Sequence, residues 1–90
     1  NASLRLNARF PTKDEVYLAF GKVPNGAKGI SLSISSNITE AGTKLFSSLA
    51  DLDDLCQSLG KTRIAVAPIP NKELGVTIND RLARASAPRD

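Results

Sequence analysis

Val16-Tyr17-Leu18-Ala19-Phe20-Gly21-Lys22-Val23-Pro24-Asn25-Gly26-Ala27-Lys28-Gly29-Ile30-Ser31-Leu32-Ser33-Ile34-Ser35 is the stretch whose reading decides the fold. Pro24-Asn25-Gly26 at its centre is the clearest turn in the chain, since Asn and Gly tolerate the positive φ that tight hairpins demand. Before it, residues 16–23 read as a strand with Val16, Leu18 and Phe20 inward and Tyr17 outward. After it, residues 29–35 alternate Ile30, Leu32 and Ile34 with Ser31, Ser33 and Ser35, so one face is apolar and the other carries small hydroxyls.

Working outward, residues 3–10 alternate as well, with Leu4, Leu6, Ala8 and Phe10 on one face and Ser3, Arg5, Asn7 and Arg9 on the other. Pro11-Thr12-Lys13-Asp14 supplies a turn, because Pro presets φ and cannot extend a ladder. Three sequential strands joined by short turns predict an antiparallel meander with one solvated face.

Residues 37–60 change character and leave two readings open. Asn37 caps a long helix with Glu40 as its capping-box partner, or residues 43–47 form a short fourth strand. Gly42 costs a helix about 1 kcal/mol against Ala, which favours the second. In either case Ser48 is a good helix cap, followed by a stripe of Leu49, Leu52, Leu55 and Leu59 and ended by Gly60. Residues 61–69 and 74–82 read as two further strands around the turn Pro70-Asn71-Lys72-Glu73, with Ile64, Val66, Val76 and Ile78 facing the core.

The predicted fold class is therefore α+β: an antiparallel β-meander of five to six strands with one helix on one face. The order strands, helix, hairpin also fits an OB-like barrel. Residues 1–82 form a single domain and residues 83–90 a flexible basic tail.

Composition narrows function mainly by exclusion. The 90 residues contain no His, one Cys and no long apolar run. Triads, Cys-His nucleophiles and His-containing zinc sites need imidazole, so no metal, no cofactor and no catalysis are expected. Asp51, Asp53 and Asp54 look like a cation cluster, but they lie in a leucine-striped helix rather than a ligand loop. Cys56, placed among leucines, reads as a small buried hydrophobe and points to a cytoplasmic protein, and the lack of a long apolar run predicts no membrane span. The sequons at Asn1 and Asn37 are too short a pattern to argue glycosylation.

Charge is sorted along the chain. Residues 1–30 carry five Lys/Arg against two acids, residues 37–60 one against four, and residues 61–90 six against three. A helix covering one face of the sheet would leave cations on the other. Arg5, Arg9, Tyr17, Lys22, Lys28, Lys61 and Arg63 are the candidate contacts for single-stranded nucleic acid, bound through phosphates and one stacking ring with little sequence readout. The outer face of any amphipathic strand must also be solvated, and only 4% of residues are aromatic. The alternative is therefore a protein-protein interaction module, a small inhibitor or adaptor docking by a strand edge or the acidic helix face. A thin core, burying about 60–65% of the unfolded surface, and open sheet edges predict a homodimer.

Overall fold

Glu15, Val16, Tyr17, Leu18 and Ala19 are buried without a break, which a strand with one wet face does not allow. Continuous burial marks a strand covered on both sides, the signature of a parallel sheet. The computed structural model describes residues 3–86 and shows such a sheet. Its strands are β1 (Ser3–Arg5), β2 (Glu15–Ala19), β3 (Gly29–Ser31) and β4 (Arg63–Val66), in the order β1-β4-β2-β3. Every pair is parallel, with Leu4 and Val16 both beside Ile64 and Leu18 beside both Ile30 and Val66. Of the two helices, α1 (Ile38–Leu59) lies between β3 and β4 and α2 (Leu74–Ser86) follows β4.

The antiparallel meander is thus overturned: the fold is α/β, with one open four-stranded parallel sheet and two helices, and not an OB-like barrel. The Pro24-Asn25-Gly26 turn exists. Gly26 has φ 85° and Ala27 donates to the Pro24 carbonyl at 3.1 Å. It bends a nine-residue crossover, residues 20–28, that brings β3 back alongside β2 in the same direction. Parallel neighbours usually need a dozen or more connecting residues, so a hairpin was the natural reading of a link this short. The alternation in residues 29–35 also misleads. Pairing ends at Ser31, after which Leu32 and Ser33 are buried and Ile34 is 68% exposed.

Helix α1 follows the long reading of residues 37–60. Asn37 accepts from the Glu40 N–H at 2.9 Å, one of the orphan donors of the first turn. Gly60, at φ 68°, closes the other end, with its N–H on the Gln57 carbonyl and that of Lys61 on Cys56, a Schellman pair. Ser48 is therefore no cap but a buried residue inside the helix, in the line Ala41, Leu45, Ser48, Leu52 and Cys56. A Cβ on Gly42 would sit 3.7 Å from Ile78 Cδ1, so α2 passes close to α1 there.

The predicted last strand, residues 74–82, is helix α2. Its β-branched Val76, Thr77 and Ile78 suggested a strand, but the buried positions are Gly75, Ile78 and Leu82, at helical spacing. Gly75 is required by contact: a Cβ there would lie 1.8 Å from the Pro70 carbonyl oxygen. The helix carries residues 83–86 with it, and residues 87–90 of the expected tail lie outside the described residues.

Both helices cover the same face. Val16, Leu18, Ile64 and Val66 form one cluster with Leu45, Leu52, Ile78 and Leu82. The opposite face is built from Ala8, Tyr17, Ala19, Ala65 and Ala67 and is covered by the loops carrying Phe20, Val23 and Ala27. Each large aliphatic side chain contributes about 1.5–3 kcal/mol on burial and alanine far less, so the helical face holds the fold together. The homodimer was expected from a thin core and open sheet edges; β1 and β3 are the sheet's edges, but no finding supports a dimer. No helix among them is long and apolar enough to cross a membrane.

Candidate functional site

The way each strand leaves the sheet locates the site. After β1 the chain turns to the alanine face, where Ala8 is buried beside Tyr17 and Ala65. After β2 it turns the same way, burying Val23 and Ala27. After β4 it turns to the opposite face and enters α2, whose Ile78 and Leu82 join the helical core. Adjacent strands whose exits diverge leave a crevice at their carboxyl ends, which is where open α/β sheets bind ligands. Here that crevice opens at the end of β4.

A cleft of about 340 Å³ lies at this point, lined by Leu6, Asn7, Val66, Ala67, Ile69, Asn71, Asn79, Leu82 and Ala83. Asn7 takes φ 55°, a left-handed conformation that Asn accepts more readily than most residues. The Ala8 N–H, next along, donates to the Val66 carbonyl at 2.7 Å and ties the β1 exit to β4. On α2, Asn79 donates through Nδ2 to the Ile69 carbonyl at 3.0 Å and to Asn71 Oδ1 at 3.3 Å. Those two bonds orient both carboxamides: Asn79 keeps its carbonyl oxygen as an acceptor, and Asn71 keeps its amide as a donor.

Every lining residue is apolar or a neutral amide. Such a cleft recognises by shape and dipole, with no acid, base or nucleophile on its walls to break a bond. Among the described residues, no group of three His, Cys, Asp or Glu is placed to hold a metal ion.

The seven residues singled out from the sequence fall elsewhere. Arg5, Tyr17 and Arg63 do share the sheet face away from the helices, as their register with Ala65 and Glu15 requires. Glu15 shares it too and takes up Arg5. Arg5 Nε and Nη2 bind Glu15 Oε2 and Oε1 at 2.9 and 2.8 Å, reaching across β4 above the small side chain of Ala65. Arg5 also donates to the Phe10 carbonyl at 3.1 Å, and the Thr12 N–H donates to Glu15 at 2.9 Å, so this network pins the loop between β1 and β2. The Arg5 bond is the main force holding the Glu15 carboxyl down to about 2, against the opposing cost of burial.

Tyr17 is 3% exposed and donates to the Ala8 carbonyl at 2.7 Å, so its ring is covered, and burial raises its hydroxyl pKa. Lys61 donates to the Lys13 carbonyl. Arg9 stands exposed on the β1–β2 loop, and Lys22 and Lys28 stand exposed on the β2–β3 crossover. The asparagines of the cleft escaped notice because Asn71 sits in a turn-like run and Asn79 in a segment read as a strand. The helical spacing of Gly75, Ile78 and Leu82 was the one signal that could have placed them.

Fold and cleft together define a small α/β domain of the open-sheet kind, with a crevice at the carboxyl edge of its strands. Residues 3–87 match the family described as threonylcarbamoyl-AMP synthase, C-terminal domain, and the chain belongs to that family. No curated protein and no solved structure matches it. This membership overturns the expectation of a non-enzymatic single-stranded nucleic-acid-binding protein, because the family is part of an enzyme.

Proposed function

We propose that this chain is the recognition domain of a threonylcarbamoyl-AMP synthase, holding a ligand at the β4 cleft while the bond-making chemistry is carried out elsewhere in the enzyme. On this reading it works in tRNA modification, at the step that makes the threonylcarbamoyl adenylate. The family match over residues 3–87 carries the proposal. The neutral cleft supports the division of labour, since joining threonine, a carbonate-level carbon and ATP needs groups that manage phosphate charge and move protons. Of the cations on or beside the sheet, Arg5 is engaged with Glu15 and Lys61 with backbone.

The test supplies the chain alone with threonine, bicarbonate and ATP and looks for threonylcarbamoyl-AMP by mass spectrometry. No adenylate is expected from residues 1–90. The synthase carrying this domain should make it, with an altered KM when Asn79 is replaced by Leu. Adenylate made by the isolated chain would overturn the proposal.

A further inference from the structure

β3 forms one edge of the sheet, and among the described residues nothing pairs with its outer side. In a parallel ladder successive residues turn their backbone groups to alternate sides. Lys28 accepts from the Tyr17 N–H and Leu32 donates to the Ala19 carbonyl, both at 2.8 Å, so residues 28, 30 and 32 face β2. Gly29 and Ser31 therefore aim their N–H and C=O groups outward, a row of backbone groups open to another strand.

A cleft of about 440 Å³ lies against this edge, with Gly29, Ile30 and Ser31 in its lining. The crossover brings Lys22 to it, and the chain beyond β3 brings Ile34 and, on α1, Lys44. Ile34 is 68% exposed, more than any other large apolar side chain among the described residues. The crossover packs on the alanine face and α1 on the opposite one, so a lysine flanks the edge from each side of the sheet. No acid lines the cleft. Glu40 lies 3.5 Å from Lys44, but both are about half exposed, and such a pair holds weakly against a new partner.

Lysines on an edge keep two like edges apart, because pairing with a second copy would set these cations against each other. A strand bearing acids meets no such barrier. We propose that the β3 edge receives an extended acidic segment of a partner protein, hydrogen-bonded to Gly29 and Ser31, with an apolar side chain against Ile30 and Ile34 and carboxylates at Lys22 and Lys44. Neighbouring side chains of a strand point to opposite faces, so the two carboxylates stand at odd spacing. Strand addition of this kind draws affinity from the main chain and specificity from the side chains. β2 stands between this edge and β4, so docking here leaves the β4 cleft free.

The test titrates the full chain, followed by backbone amide NMR, with a capped peptide of about ten residues, made of valine and threonine with two glutamates three positions apart. The Gly29 and Ser31 amides should shift downfield and exchange more slowly with solvent. The same peptide with an N-methylated backbone should lose at least tenfold in affinity, since it cannot donate to the edge. Lys22→Glu with Lys44→Glu, both at exposed positions, should weaken the glutamate peptide about tenfold, at about threefold per ion pair, and tighten a peptide carrying lysines instead. Unmoved Gly29 and Ser31 amides at millimolar peptide, equal binding of the N-methylated or the lysine peptide by the native chain, or an unaffected double variant would each overturn the proposal. So would the same shifts on raising the protein concentration alone, which mark a second copy, or with oligothymidine, which mark a site for polyanions in general.

Discussion

Replacing Glu15 by Gln removes one charge from the most connected polar group of the sheet while keeping its shape. The Glu15 side chain is 2% exposed, and its carboxyl is held at about 2 against an ordinary 4.5, chiefly by the hydrogen bond from Arg5. A lowered carboxylate stabilises the folded state above its unfolded value, and that contribution disappears as pH falls from about 4.5 towards 2. At about 1.36 kcal/mol per pH unit the full shift would be worth roughly 3 kcal/mol. Arg5 is half exposed, so water screens the pair, and about 1–2 kcal/mol is the realistic share. Urea unfolding of the native protein and Glu15→Gln, measured from pH 2 to 7, reads this out. The native protein should be more stable by that amount at pH 6, and the two should converge as pH approaches 2. A gap of constant size across the range, or no gap at pH 6, would refute the assignment of the stabilisation to the Arg5–Glu15 pair.

Two glycines should behave oppositely on conversion to Ala. Gly75→Ala drives a Cβ into the Pro70 carbonyl and should cost about 3 kcal/mol, whereas Gly42→Ala meets only ordinary contact with Ile78 and should gain about 0.5–1 kcal/mol, both read by thermal unfolding. Asn37→Ala removes the cap of α1 and should lower stability by about 1 kcal/mol in the same assay. Cys56 is 3% exposed and its thiol is pushed up by burial, so a disulfide reagent at pH 8 should label it far more slowly in the folded protein than in denaturant. Equal rates would show that the helical core opens readily.

Much of the local structure was legible in the residues themselves. The four strands lie in or beside stretches rich in Leu, Ile and Val, Gly60 marks the end of α1, Asn37 was one of two candidate starts, and Pro24-Asn25-Gly26 makes a tight turn, because each depends on backbone preferences that act over a few residues. The electrostatic reading failed for a reason of range. Arg5 and Glu15 are ten positions apart and read as separate surface charges. Only the placement of β4 between β1 and β2, with Ala65 as the low point, lets one reach the other.

By itself the sequence settled which segments could extend, that a helix stops at Gly60, and that imidazole chemistry is absent, while the start of α1 stayed open between Asn37 and Ser48. Tertiary structure alone decided strand direction, the helical state of residues 74–86 and the cleft. A short apolar run such as Val16-Tyr17-Leu18-Ala19 is compatible with parallel or antiparallel neighbours until both its faces are seen to be covered. Likewise Asn7, Asn71 and Asn79 are ordinary turn and surface residues along the chain. They become a site only when β4 and α2 bring them to one crevice.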